Sequence, residues 1–167
     1  MRRTERTPID DGAENAQIRP LEAYIPVSYT HLNTCRSPMA MALFRLKGTE
    51  VRAESAGIFA ADGQPASPEA VKACKLLGAD LSGHRSRRIT PEIIEDSDII
   101  AAMTLSHKMQ LLLAGCPEEK VFTLSELTGI PGDIPDPFGQ SQEVYNRTAQ
   151  ELLKHVDRLA QKLGGNT

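Results

Sequence analysis

The stretch that decides the fold is NTCRSPMAMALFRLKG, residues 33–48. It predicts a loop followed by a helix that ends at Gly48. Ser37 is expected to cap this helix, because a serine hydroxyl can accept a hydrogen bond from a backbone N–H of the first turn, and Pro38 suits that turn. A loop that leads into a helix directs several backbone N–H groups toward one point, which is typical of an anion site.

Arg36 lies within this loop, and its planar guanidinium can hold two oxygens of a phosphate group at once. The same residues also allow a simpler interpretation. In that interpretation Ser37 and Pro38 only begin a helix, and Arg36 is a solvated surface charge. The stretch alone leaves both interpretations open, and more distant motifs are needed to choose between them.

Around this stretch, apolar strand-like runs alternate with amphipathic helical segments, which predicts an α/β fold. The predicted strands are residues 23–31, 50–55, 98–103 and 121–125, the last within the segment VFTLSEL. The predicted helices begin near residues 37, 67, 90, 105 and 141, and the last ends near 163. We therefore expect a small doubly wound four-stranded parallel sheet with helices on both faces and a ligand site at the carboxyl ends of its strands.

Composition narrows the function classes. The chain has 167 residues, of which 40% are hydrophobic, and its net charge of -3 argues against nucleic acid or an anionic membrane as partner. Its three cysteines, Cys35, Cys74 and Cys116, lack paired metal spacing such as CxxC. We expect a cytoplasmic protein with no metal and no cofactor.

The N-terminal region has a different character from the rest of the chain. Residues 1–22 carry almost no large apolar side chains, so we expect a disordered or foreign tail ahead of a domain formed by residues 23–167. Pro26 conflicts with the first predicted strand, because proline removes a donor from a ladder that should be central.

Four segments, in order, resemble the low-molecular-weight protein phosphatases: NTCRSPMA (33–40), SAGIFA (55–60), HRSRRIT (84–90) and DPFGQSQEVY (136–145). Within that family the chain is most similar to the bacterial protein-arginine phosphatases. The resemblance runs from about Asn33 to the last helix. It implies hydrolysis of phosphoarginine or phosphotyrosine on a phosphorylated protein substrate through a cysteinyl-phosphate intermediate. The family signature is Cys, five residues, Arg, then Ser or Thr.

The chain departs from this signature at the nucleophile. Counting back from Arg36 places the nucleophile position at Thr30, and Leu32 stands where the family has glycine. A cysteine at that position ionises and attacks phosphorus as a thiolate, whereas the threonine hydroxyl stays protonated without an adjacent base. Because the departures are contiguous and stop at Asn33, we favour a replaced segment or a sequence artefact over selected loss, and we expect impaired activity.

The resemblance also assigns roles to residues that are present. It gives Asp136 as the general acid, with Asp133 as its rival, and it gives Ser37 as a hydrogen-bond donor to the nucleophile. A turn-forming aspartate is the simpler interpretation of both carboxylates. Cys35 matches a second family cysteine that can form a disulfide with the nucleophile. Without that partner, we expect Cys35 to be a small half-buried thiol.

Substrate choice depends on fewer residues. Phosphate contacts are assigned to Asn33, Thr34 and Cys35, and pocket walls to Phe138 and Phe59. Thr34 is typical of the arginine-directed members, and a thin wall at Phe138-Gly139 is less suited to phosphotyrosine. Phosphoarginine is therefore our first choice and phosphotyrosine the second.

Two other functions remain open from the sequence. Arsenate reduction uses the same fold but needs a relay pair of cysteines, for which the chain offers Cys74 in a predicted core position. A non-catalytic module could hold a phosphorylated partner without cleaving it. Histidines 84, 107 and 155 are expected to be solvated or capping, and the basic residues 85, 87 and 88 to be structural.

Overall fold

The computed structural model describes residues 33–164 and the backbone of residues 22–26. Predictions that concern Thr30, Leu32 and the tail before residue 22 lie outside the described residues.

Strands and helices alternate along the chain, as the sequence predicts. The strands are β1 (Glu22–Pro26), β2 (Arg52–Ala56), β3 (Ile99–Ala102) and β4 (Val121–Thr123). The helices are α1 (Arg36–Arg45), α2 (Pro68–Leu76), α3 (Pro91–Asp96), α4 (Leu105–Leu113), α5 (Leu124–Thr128) and α6 (Gln142–Gly164), with a 3-10 turn at Glu118–Lys120 before β4.

The strands pair in parallel in the order β2-β1-β3-β4. The α/β class and the parallel sheet are thus confirmed. Pro26 is the last residue of β1, opposite Ala56 of β2. The remainder of the first predicted strand, residues 27–31, lies outside the described residues.

The sheet separates two hydrophobic clusters, and β3 contributes alternate side chains to each. Ile99 and Ala101 pack with α1, α2 and α6, whereas Ile100 and Ala102 pack with apolar residues of α3 and α4. Successive side chains of a strand point to opposite faces. Helices therefore cover both faces of the sheet, and the continuous apolar run in β3 reflects burial on both sides.

The segment VFTLSEL is not one strand, which corrects our prediction. The strand ends at Thr123, whose hydroxyl accepts a hydrogen bond from the Glu126 backbone N–H, while the Glu126 carboxylate accepts one from Thr123 N–H. This reciprocal capping box starts α5, which ends at Gly129 with a φ of 71°. The local Thr-x-x-Glu signal outweighs the β propensity of the first residues.

Among the described helices, none combines the length and the apolar character needed to cross a membrane.

Candidate active site

Arg36 lies in the first turn of α1 and is directed inward, with only 4% of its surface exposed. Its Nη1 donates to the carbonyl of Ile134 at 2.6 Å, and its Nη2 lies 3.4 Å from Asp136 Oδ2. The structure therefore brings together Arg36 and Asp136, two residues that the sequence analysis singled out separately. Burial lowers the pKa of Arg36, and the carboxylate of Asp136 opposes that shift, so the guanidinium remains charged in the site.

The two rival aspartates have different environments. Asp133 Oδ1 accepts a hydrogen bond from Leu105 N–H at 3.0 Å, so this carboxylate stabilises the beginning of α4. Asp136 is 27% exposed, contacts Arg36, and accepts from Phe138 N–H at 3.2 Å. Of the two carboxylates, Asp136 is the one in contact with the Arg36 guanidinium.

Asn33 organises the anion loop, which we define as residues 33–37. It is buried and adopts a φ of 58°, a left-handed conformation that asparagine tolerates better than most residues. Its Nδ2 donates to the hydroxyls of Ser37 and Ser55, at 2.9 Å each, and its Oδ1 accepts from Arg87 N–H at 3.1 Å. One side chain therefore ties the loop to β2 and to the 84–90 segment.

The motifs SAGIFA and HRSRRIT each contribute a residue that packs against the backbone of this loop. The Asn33 carbonyl lies 2.7 Å from His84 Nε2, so the imidazole donates to it. Gly57 approaches so closely that a Cβ there would lie 3.2 Å from Asn33 N. The glycine of SAGIFA thus allows close packing, and the histidine of HRSRRIT fixes the loop backbone.

Ser37 does not cap α1, which corrects our prediction. The N-cap residue is Cys35, without a side-chain cap hydrogen bond, and Ser37 is already helical. Its hydroxyl instead accepts the hydrogen bond from Asn33 Nδ2. The first-turn N–H groups of α1 are consequently not engaged by a Ser37 cap, which suits a helix that receives an external anion.

Cys35 is buried, with 4% exposure, and not half-buried as we predicted. Its Sγ lies 3.3 Å from Tyr145 Oη on α6 and 3.6 Å from Ser67 Oγ, the N-cap of α2. Ser67 N–H also donates to the carbonyl of Thr34 at 2.9 Å. These contacts hold Thr34 and Cys35 against α2 and α6. The sequence analysis did not single out Tyr145, because its contact partners are distant in sequence.

Comparison with known proteins gives the family of the chain. The family model described as low molecular weight phosphotyrosine protein phosphatase matches residues 15–167. The chain belongs to this family. The expected enzyme class, a low-molecular-weight protein-tyrosine or protein-arginine phosphatase, is confirmed at the level of the family.

The relatives of this chain include proteins named as arginine phosphatases and proteins named as tyrosine phosphatases. The chain is 43% identical over 138 residues to the protein-arginine-phosphatase of Bacillus subtilis (strain 168), covering 78% of this chain and 91% of that protein. It is 35% identical over 127 residues to the low molecular weight protein-tyrosine-phosphatase PtpB of Staphylococcus haemolyticus, covering 76% and 91%.

Among solved structures, the chain is similar to a Cys-to-Ser variant of YwlE arginine phosphatase whose active-site serine is phosphorylated. The TM-score is 0.81 at 38% identity, covering 87% of this chain and 97% of that one.

The predicted walls of the phosphatase pocket are both largely exposed. Phe138 is 49% exposed and lies two residues after Asp136, and Phe59 is 51% exposed beside Arg88 and Ile89. Their role as pocket walls stays a prediction.

Of the histidines that we predicted to be solvated or capping, His107 and His155 are buried and His84 is half-buried, which corrects that prediction. His84 contacts the anion loop, and His155 is buried with its Nδ1 2.8 Å from Thr128 Oγ1. His107, buried in the first turn of α4, has its pKa lowered to about 4 by burial and then by Arg36, with Asp136 opposing. Its place in the first turn of the helix that follows β3 is the signal that sequence analysis could have used.

We expect the unfolding free energy to fall as the pH decreases from about 6.5 to about 4. The folded state holds His107 neutral, with a pKa of about 4, whereas in the unfolded chain the imidazole takes up a proton near pH 6.5. Its contribution to stability is thus present above pH 6.5 and is lost as the pH falls through that window. Urea unfolding followed by circular dichroism should show a shallower pH dependence for His107→Gln; an identical slope would contradict this assignment.

Cys74 is fully buried on α2, as predicted, and burial raises its thiol pKa to about 12. A thiol in this state is a poor relay nucleophile. The position of Cys74 therefore does not favour arsenate reduction.

Proposed function

We propose that this chain is a protein phosphatase domain that binds the phosphoryl group of a phosphorylated protein in the anion loop, with turnover impaired because Thr30 occupies the nucleophile position. The observation that carries the proposal is the contact between Arg36 and Asp136. These residues are a hundred positions apart in sequence, and they place a guanidinium and a carboxylate side by side at the start of α1.

The chemistry of each group fits phosphoryl transfer. Arg36 can hold two phosphate oxygens, and the first-turn N–H groups of α1 add partial positive charge. Asp136, held between Pro135 and Pro137, can protonate the leaving group. In a doubly wound sheet, which the strand order β2-β1-β3-β4 supports, this lies at the carboxyl ends of the strands, where ligands bind.

A covalent phosphoenzyme is the route that the relatives support. The phosphorylated active-site serine of the YwlE variant shows that an active-site residue of that protein accepts the phosphoryl group. In this chain the corresponding attack would need a thiolate at Thr30, and a threonine hydroxyl does not supply one. We therefore propose slow or negligible turnover with retained phosphate binding.

Phosphoarginine is the proposed substrate, with phosphotyrosine second. Thr34 offers a hydroxyl that can hydrogen-bond a guanidinium edge, and Gly139 after Phe138 leaves one wall thin. Relatives named as arginine phosphatases and as tyrosine phosphatases both resemble the chain, so the choice depends on these pocket residues.

A non-catalytic phosphate-binding module is the second candidate. The observation that favours it is Thr30 itself, since the anion loop and Asp136 are present without the expected nucleophile. Such a module would bind the phosphorylated partner with the same residues and release it unchanged.

A binding and turnover experiment tests the proposal. We expect tungstate, an unreactive oxyanion, to bind the chain in calorimetric titrations and to bind Arg36→Ala at least about tenfold more weakly, because a charge-assisted bidentate contact is lost. Hydrolysis of p-nitrophenyl phosphate should stay near background in both proteins.

Matched variants give this test its controls. Arg147→Ala removes an exposed guanidinium from α6 and should bind tungstate like the parent chain. Arg36→Lys keeps the charge without the planar fork and covers the case in which Arg36→Ala does not fold. Equal tungstate affinity in all four proteins would refute the assignment of the anion loop.

A further inference from the structure

A second cleft, which we call the side cleft, lies between α1, the edge strand β2 and residues 80–87. Its volume is about 620 Å³, a size that suits a small-molecule ligand. It is separate from the contact between Arg36 and Asp136, since neither residue lines it.

Positive charge predominates in the side cleft. Arg45, Arg85 and Arg87 line it, against two acids, Glu54 and Asp80. Glu54 is already paired with guanidinium groups, at 3.2 Å from Arg45 and 2.9 Å from Arg87. A cationic cleft on a chain of net charge -3 indicates an anionic ligand.

Apolar side chains also line the side cleft. Met41, Ala42, Leu46 and Leu81 contribute to it, and Leu46 is 50% exposed. Guanidinium groups bind carboxylates or phosphates through paired hydrogen bonds and also stack on flat rings. The combination suits a small ring that carries two negative charges.

Three residues that line the side cleft also hold the anion loop in place. Ser55, His84 and Arg87 line the cleft, and each of them contacts Asn33. A ligand that restrains these residues also restrains Asn33, which sets the conformation of the loop. The two sites are thus joined through one buried residue, Asn33.

We propose that the side cleft binds a small ring-bearing dianion, and that its occupancy tightens oxyanion binding at the anion loop by holding Asn33 in place. Positive cooperativity follows when the first ligand orders residues that the second ligand needs ordered. The proposal is independent of phosphatase turnover, because both binding events can be measured without chemistry.

Isophthalate and benzene-1,3-disulfonate are suitable probes, in calorimetric titrations of the full chain. We expect saturable binding of at least one probe that is at least about tenfold weaker in Arg85→Ala, since a charge-assisted contact is lost. The Arg85 guanidinium donates to the carbonyl of its neighbour His84, whereas Asn33 is held by Ser37, Ser55, His84 and Arg87, so this variant spares the support of Asn33. Arg88→Ala is the matched control, because Arg88 lines a different cleft.

The Arg36→Ala variant distinguishes the two anion sites. Binding kept in Arg36→Ala and weakened in Arg85→Ala supports the side cleft. The reverse pattern, or no binding of either probe to the folded chain, overturns it. Failure of tungstate to depend on Arg36 would instead overturn the proposed function and leave this result standing.

Coupling is measured by repeating the tungstate titration with the side cleft saturated by the probe that binds. We expect about fivefold tighter tungstate binding, and by linkage the same factor for the probe when tungstate is present. The gain should disappear in Arg85→Ala and persist in Arg88→Ala. An unchanged tungstate affinity in the saturated parent chain would overturn the coupling.

Discussion

The double variant Thr30→Cys/Leu32→Gly should hydrolyse phosphorylated peptides at least about a thousandfold faster than the parent chain. Loss of a covalent nucleophile costs rates of this order or more in enzymes whose other active-site groups are intact. The family signature pairs a cysteine at this position with the arginine at position 36, and a cationic neighbour lowers a thiol pKa and favours the thiolate. Glycine at position 32 removes a side chain where the family has none.

The measurement is initial rates on phosphoarginine and phosphotyrosine peptides under reducing conditions. Thr30→Ser/Leu32→Gly is the matched control, because it makes the same change in the loop but offers an alcohol, and it should remain near background. Adding Arg36→Ala to the active variant should remove most of the gained rate.

One outcome would contradict the assignment of the nucleophile position. Robust hydrolysis by the parent chain that is abolished by Cys35→Ser would place the nucleophile next to Arg36. The structure argues against this result, because Cys35 Sγ is buried and directed toward Tyr145 and Ser67.

The second large effect concerns stability. We expect Asn33→Ala to lower the unfolding free energy by about 2–4 kcal/mol, because three hydrogen bonds of a buried side chain are lost and alanine is strained at positive φ. The bonded groups of Ser37, Ser55 and Arg87 would lose their Asn33 partner at the same time. Urea unfolding followed by circular dichroism measures the change.

Asn33→Gly separates the two causes. Glycine tolerates a φ of 58° but makes no side-chain hydrogen bonds, so this variant should lose less stability than Asn33→Ala. Both variants should bind tungstate more weakly than the parent chain. Parent-like stability in both variants would show that Asn33 does not hold the loop.

Several features could be predicted from local sequence alone. The Ser67-Pro68 and Thr90-Pro91 starts of α2 and α3 are confirmed, with each hydroxyl accepting from a first-turn N–H. The apolar run of β3 predicted a strand buried on both faces. Such features depend on residues that are near one another in the chain, so their pattern is visible before folding.

The predictions for the start of α5 and for the N-cap of α1 were wrong, because two local sequence signals competed at each position. The residues of α5 follow a β-prone run, and the capping box between Thr123 and Glu126 prevailed. Ser37 is a residue type that often caps helices, but its hydroxyl accepts a hydrogen bond from Asn33, and the helix begins at Arg36 with Cys35 as its N-cap. The choice between two local hydrogen-bonding roles depended on a partner that the local pattern does not specify.

The sequence by itself determined the α/β class and, through the family resemblance, singled out Arg36 and Asp136, which are in contact in the structure. Only the tertiary structure decided that Asp133 stabilises α4 and that His84, His107 and Tyr145 surround the site. The reason is physical. Helix starts and strand runs are encoded by neighbours, whereas burial and hydrogen bonds between distant residues exist only after the sheet has brought its connecting segments together.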